Sequence, residues 1–440
     1  MKIHTLNTIK YILFSTFLLN SSHSKSQINM WNLDSCISYA LRNNTAIQSI
    51  QIEIEIDKLN YNQAKSNFLP SISGFANHGY NWGQSIDPFT NKFATNQIRT
   101  NSFYVSNNLN LFTGFQRYYL LKQTLSNQLI ENYNLDIEKR NLKIKITSIY
   151  LTSVSLRKQI ELQKSNIQFL NDEKKIIEDL IIHQKVTTFD LNEINAEIHK
   201  QKACLTGLEL DYKQNILNLK KLMHHPLDQE LILNNEIKTN LLNNNFDFKN
   251  NLETKLNDEK IKNLESQLKQ LNGKFFPTIY LINYIGTGYS GNNKEIINDV
   301  YTPKNFRNQL NDNFYQSLSI NMSIPILNKL SNIKNIQLNK FELEKVKLNN
   351  EEIIYNIQSN FENLKSEIVS IEYQIESINK VINDLTKNFN ISSEKYTMGL
   401  FNITQLLDSK KMLSDVENEL NKLEFKRYFD LKILNYYTEN

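Results

Sequence analysis

Two periodicities alternate along this chain. From Phe314 every second residue is apolar: Phe314, Leu318, Ile320, Met322 and Ile324 fall on one parity, against Tyr315, Ser317, Ser319, Asn321 and Ser323 on the other, with Gln316 the exception. An earlier segment repeats the alternation, with Phe103, Val105, Leu109 and Leu111 against Ser102, Tyr104, Ser106, Asn108 and Asn110. A period of two predicts strands with one greasy and one polar face. Beyond residue 330 the period changes. Ile354, Ile357, Phe361, Leu364, Ile368, Ile371, Ile375, Ile378, Ile382, Leu385 and Phe389 step three and four in turn, a heptad seam that predicts a coiled-coil helix. The corresponding seam upstream is apolar at Leu142, Ile146, Ile149, Leu156, Ile160, Ile167 and Leu170 and polar at Lys139, Ser153, Gln163 and Lys174.

The two patterns recur because the chain is duplicated. Asn67-Phe68-Leu69-Pro70 resembles Lys274-Phe275-Phe276-Pro277 at an offset of 207, and the strand at Phe103–Phe112 aligns with Leu318–Leu327 at an offset of 215. The second offset persists to Gln184–Asp190 against Gly399–Gln405. A unit of roughly 200 residues is too long for a solenoid repeat. Each unit reads helix, strand, strand, long helix, return helix. No Pro or Gly interrupts residues 115–184, a helix of ~105 Å at ~1.5 Å per residue. Residues 32–68 and 186–223, stacked end to end, would match it; residues 330–398 would face 251–272 and 401–437. The expected organisation is a leader over 1–26, a first repeat over 27–225, an inter-repeat belt over 226–250 and a second repeat over 251–440.

At the N-terminus, Lys2 and Lys10 precede the apolar run Tyr11–Leu19, followed by small residues around Ser22–Ser26. That order reads as a cleaved signal peptide, since nine helical residues span ~14 Å against the ~30 Å of a bilayer core. No later stretch approaches ~20 apolar residues, so a membrane span in the mature chain has to be built from strands. Strands of ~10 residues with one apolar face suit a barrel wall with a wet interior; half-buried strands of a soluble sheet are the alternative. Four strands cannot close a barrel alone, because the open edges would leave backbone groups unsatisfied in lipid. The chain must therefore oligomerise.

Composition narrows the field further. The 440 residues include 10 Gly, 6 Pro and 2 Cys, and 50 basic residues against 46 acidic ones give a net charge of +4. A disulfide scaffold and a Pro/Gly linker protein are excluded, and the dispersed arginines argue against nucleic acid as a partner. Cys36 and Cys204 read as packed thiols. Asn is abundant, as at Asn243-Asn244-Asn245. No nucleotide loop, metal motif or catalytic constellation is present, so no catalytic residue, cofactor or metal ligand is assigned. His224-His225 sits before Pro226 and reads as a helix C-terminus rather than a ligand pair.

With the order of elements, Phe68-Leu69-Pro70, Leu109-Asn110-Leu111-Phe112-Thr113-Gly114 and Tyr396-Thr397-Met398-Gly399-Leu400, the chain resembles the TolC-like outer membrane efflux protein family over about residues 30–437. The resemblance implies a mainly α fold with a small β part, in which four strands per chain contribute to one twelve-stranded outer-membrane β-barrel shared by a homotrimer. Long coiled-coil helices continue it as a periplasmic α-helical barrel. It also implies a passive exit duct for efflux or type I secretion, with outer-membrane lipid, a periplasmic adaptor and an inner-membrane pump of RND or ABC type as partners. Two helical turns would close the duct and dock the adaptor: Lys185, Val186, Thr187 and Thr188 in the first, Gly399, Leu400, Phe401 and Asn402 in the second. Gly399 suits positive φ. Asp190, Tyr396, Phe401, Gln405 and Asp408 fall at the implied constriction. Relatives often have acids at the Gln405 and Asp408 positions and a basic residue where Phe401 stands, so a gate held more by apolar packing than by salt bridges is expected. The loops at 83–99 and 289–313 would face outside. Two other readings compete. A periplasmic adaptor would show a single helical hairpin flanked by Gly- and Val-rich β modules. An envelope enzyme would show a nucleophile or metal constellation.

Overall fold

In the computed structural model the structure describes residues 30–94, 97–183, 186–234, 251–297, 299–327 and 330–438. The signal peptide expected at 1–26 and residues 235–250 of the inter-repeat belt lie outside them.

The elements run α1 (Leu33–Asn43), α2 (Thr45–Ser66), β1 (Ser71–Asn81), β2 (Ser85–Ile86), β3 (Phe93–Ala94), β4 (Ile98–Thr113), α3 (Gln116–Ile182) and α4 (Thr188–Met223). They continue as α5 (Leu252–Gly273), β5 (Thr278–Ser290), β6 (Lys294–Ile297), β7 (Val300–Pro303), α6 (Phe306–Asp312), β8 (Tyr315–Ser323), α7 (Ser331–Thr397) and α8 (Ile403–Thr438). The duplication is visible in the lengths. Helices α2 and α5 have 22 residues each, α3 and α7 have 67 each, and α4 and α8 have 36 each. One expectation is corrected. Residues 32–68 are two helices, because Asn44 takes an extended backbone and its side-chain amide donates to the Leu222 carbonyl at 3.0 Å, which ends α1. Apart from this correction, the segments at 83–99 and 289–313 carry the hairpins β2–β3 and β6–β7 and the short helix α6.

The chain divides into two compact units. One comprises residues 46–140, 245–363 and 437–440, and holds α2, the sheets, α5 and the N-terminal parts of α3 and α7. Its main sheet is antiparallel in the order β1-β4-β5-β8. Register rows show the two faces the alternation predicts: Ala76, Phe103 and Thr287 share one face, as do Leu109, Leu281 and Ile320. The other face carries rows such as Ser73, Ser106, Tyr284 and Ser317. Leu318, Ile320 and Met322 are each at least 60% exposed in the chain alone. Each of β1 and β8 has one neighbour within this sheet, so the chain presents two open edges. At the foot of the sheet, Gly114 (φ +62°) crosses Gly273 so closely that a Cβ on either glycine would strike the other's carbonyl oxygen. Arg117 ties two chain segments together nearby, donating to the Asn67 carbonyl after α2 and to the Asn110 carbonyl and Thr113 hydroxyl of β4. Beyond this junction Arg140 is buried against the Glu253 carboxylate and the Tyr437 ring.

The other unit comprises, among the described residues, 30–45, 141–234 and 364–436. Its seam follows the heptads, with Ile368 and Ile371 buried, and its core also takes Ile146, Tyr150, Leu151 and Val154 of α3. The polar seam residues are satisfied locally. Ser153 donates back to the Ile149 carbonyl at 2.8 Å, and Gln163 donates to the Gln201 carbonyl at 2.9 Å. Tyr150 donates to the Asn234 carbonyl at 2.7 Å, and Trp31 forms an isolated bridge with Leu233, which anchors the described start of the belt. His224 has left-handed backbone at the end of α4, and His225 is buried edge-on to Trp31 at 5.5 Å. The pair is thus a helix end, as its sequence context predicts. Cys36 is buried, but Cys204 is exposed, which corrects its reading as a packed thiol. Among the described residues no helix is long and apolar enough to cross a membrane.

Candidate functional site

The two turns that the duplication aligns both lie in the unit of residues 141–234 and 364–436. The first follows α3. Gln184 and Lys185 lie outside the described residues, so the expected role of Lys185 has no structural counterpart here. From Val186 onward the chain starts α4 with an Asp190 cap: the Thr187 N–H and hydroxyl donate to one Asp190 carboxylate oxygen at 3.0 and 3.1 Å. A carboxylate in the first helical turn also meets the positive end of the helix dipole.

The second turn closes α7 with a paired main-chain motif. The Gly399 N–H donates to the Tyr396 carbonyl at 2.9 Å and the Leu400 N–H to the Lys395 carbonyl at 2.8 Å. This six-to-one, five-to-two pairing needs left-handed backbone at its turn residue. Gly399 has φ +75° with open space around it, so its requirement is conformational rather than steric. Helix α8 then opens with a capping box: Gln405 N–H to Asn402 Oδ1 and Asn402 N–H to Gln405 Oε1, both at 3.0 Å. Residues 187 and 402, and 190 and 405, each differ by 215, so the two caps are copies of one device.

Beneath the turns Leu170, Ile177, Ile194, Ile198, Tyr396, Ile403 and Leu406 form a buried cluster, with Val186, Phe401, Phe169 and Phe389 packed against it. Val186 and Phe401 are again 215 apart. Lys395 lies 4.9 Å from the Phe401 ring centroid, and Lys410 sits over both Phe169 and Phe389 at 5.4 and 5.2 Å. The buried Tyr396 hydroxyl has no hydrogen-bond partner among the described residues. Burial above all, then the charges of Glu173 and Asp190, pushes its ionisation up to about 12. Burial likewise raises the Glu173 carboxyl, with Asp172 adding to it.

The structure thus gathers Val186, Tyr396 and Phe401 on one apolar base and engages Asp190 and Gln405 in capping. Asp408, Thr188, Asn402 and Leu400 are exposed, Leu400 by 70%. The contact that joins the starts of α4 and α8 was not foreseen: the Thr404 hydroxyl donates to the Glu193 carboxylate at 2.7 Å. The caps were legible as Thr-x-x-Asp and Asn-x-x-Gln.

Comparison with known proteins follows the same lines. Residues 36–224 match the outer membrane efflux protein family. No curated protein sequence matches the chain. Among solved structures, CusC, from a study of folding and transmembrane channel formation, is similar with a TM-score of 0.80 at 14% identity, covering 91% of this chain and 90% of its own. The outer membrane protein VceC of Vibrio cholerae gives 0.79 at 11% identity, covering 92% of this chain and 96% of its own. The CmeC outer membrane channel of Campylobacter jejuni gives 0.79 at 13% identity, with 92% and 85% covered. The first repeat thus matches the outer membrane efflux protein family, the second is built to the same helix lengths, and the fold is similar to that of these channels over nine-tenths of the chain.

Proposed function

We propose that three copies of this chain form an exit duct in the outer membrane, with a helical barrel in the periplasm. The observation that carries the reading is the four-stranded sheet with an apolar face, a polar face and two open edges. In lipid an unpaired edge leaves N–H and C=O groups without partners at several kcal/mol each, so β8 of one copy pairs with β1 of the next until the wall closes. Three copies supply twelve strands. The apolar face meets lipid and the Ser- and Asn-rich face meets water.

The duct is passive, with energy supplied by an inner-membrane pump through a periplasmic adaptor. The exposed turn residues Thr187, Thr188, Leu400 and Asn402 are the adaptor contact, and the apolar base with Val186, Tyr396 and Phe401 holds the entrance shut. Asp190 and Gln405 shape this constriction by fixing the first turns of α4 and α8, and Asp408 faces the water within it. The adaptor reading of the chain itself loses ground because the chain carries two pairs of long helices of equal length, 67 and 36 residues in each repeat, where an adaptor would show one hairpin. The test is reconstitution in planar bilayers with native mass measurement. A conducting species of three chains is expected; a strictly monomeric, non-conducting protein overturns the reading. Photo-crosslinkers at Thr188 and Leu400 should capture the adaptor in the envelope, whereas crosslinkers at the sheet should not.

A further inference from the structure

The polar face of the sheet is not uniformly polar. Phe75, Tyr104, Gly286 and Tyr315 are successive partners across all four strands, and they form one row on that face. Phe75 stacks on Tyr104 with ring centroids 4.8 Å apart, and Tyr284, one row away, meets Tyr104 edge-on at 6.0 Å. Gly286 makes the row possible: a Cβ there would lie 2.7 Å from Tyr104 Cβ and 3.1 Å from Tyr315 Cε1. Two residues on, Gly288 leaves a notch that the Phe89 ring fills. Phe89 is held by the buried Asp87, whose carboxylate accepts the Phe89 N–H at 2.9 Å, the Thr90 N–H at 3.3 Å and the Ser290 hydroxyl. The loop between β1 and β4 thus folds onto the same face and extends the aromatic row. No Lys, Arg, Asp or Glu of the four strands lies on this face.

We infer that this row is a binding track for planar aromatic cations. The inference rests on the proposed duct, in which this face is wetted and three copies make a belt of aromatic rings around the lumen. The four strands put no charged side chain on the face and the loop carboxylate that reaches it, Asp87, is buried under hydrogen bonds, so the negative faces of the aromatic rings are its main exposed electrostatic feature. They attract cations and stack on flat π systems, whereas an anion finds no cationic partner. The neighbouring Ser73, Ser106 and Ser317 hydroxyls keep the surface wet, so a solute is held briefly and released.

The test uses the reconstituted full chain and ethidium as the probe, with tetraethylammonium, maltotriose and anilinonaphthalene sulfonate as comparisons. Ethidium should block the potassium chloride current at lower concentration than any of the three, and Tyr104→Ser/Tyr315→Ser should raise its half-blocking concentration about tenfold. Ethidium fluorescence with the detergent-solubilised oligomer should give the same loss of affinity without requiring an open channel. Phe103→Ser, on the opposite face, should leave both values unchanged. Equal affinity in the double variant, or stronger block by maltotriose or tetraethylammonium, overturns the track. An absent potassium chloride current in a monomeric protein would instead overturn the duct reading itself.

Discussion

Single side chains carry two measurable consequences. Asp430 of α8 is 4% exposed, and burial, reinforced by Glu367 and opposed by Lys426, pushes its carboxyl up to about 6 from 3.8. The folded state therefore holds this proton more tightly than the unfolded chain. Any stability tied to that proton is fully present below about pH 4 and is lost as pH rises through about 6. Asp430→Asn removes the buried charge, so the variant should melt higher than the parent at pH 7.5, by about 2 kcal/mol, and equal it near pH 3.5. Thermal melts of the detergent-solubilised protein across that range check the sign; an unchanged difference at both pH values would rule out the carboxyl as its source. Tyr396 separates packing from hydrogen bonding. Its hydroxyl is buried without a partner, so Tyr396→Phe should leave stability equal or about 1 kcal/mol higher and the channel as closed as before. Tyr396→Ala, which empties the apolar base, should cost about 3 kcal/mol or more and raise the resting conductance.

At the scale of elements, periodicity carried most of the fold. The heptad seam and the alternating strands lie where the patterns put them, because a 3.5-residue period and a two-residue period each permit one burial geometry. What escaped was decided by long-range partners or by turn chemistry. The break at Asn44 depends on the Leu222 carbonyl, 178 positions away, and Asn44 by itself reads as a tolerated helical residue. The docking of the β2–β3 loop on the sheet uses the contact of Asp87 with Ser290, 203 positions away, which no local pattern announces. At the candidate site the family resemblance located the turns, but Asp190 and Gln405 are also capping residues, a role readable from spacing alone. Gly114 shows what a motif glycine does physically. Its positive φ suits the turn, but the contact with Gly273 is the stricter demand, since backbone meets backbone and cannot yield. Gly273→Ala is therefore expected to lower the yield of assembled, heat-resistant oligomer severely, and Gly114→Ala at least as much. Gly207→Ala, with open space around its Cα in a helix, should be neutral or slightly stabilising. Quantitative immunoblotting of heated and unheated envelopes measures all three.

For the whole molecule, the proposed duct raises the question of what would hold its entrance shut. Exposed salt bridges and apolar packing respond differently to ionic strength: the screening length falls from ~10 Å at 0.1 M to ~3 Å at 1 M, while burial of apolar surface is not weakened. The turns offer few free charges for bridging. Asp190 is committed to Thr187, Glu193 to Thr404, and the position expected to be basic is Phe401, packed against the buried cluster and met by Lys395 over its ring. Closure by packing should then leave the open probability in planar bilayers within about twofold between 0.1 and 1 M potassium chloride, once current is normalised to bulk conductivity. Phe401→Ser, which removes a ring from the base without adding charge, should raise open probability at both salt concentrations alike. If salt alone opened the parent channel and Phe401→Ser did not, charges outside this apolar base would be holding the entrance, and the packing account of the gate would be wrong.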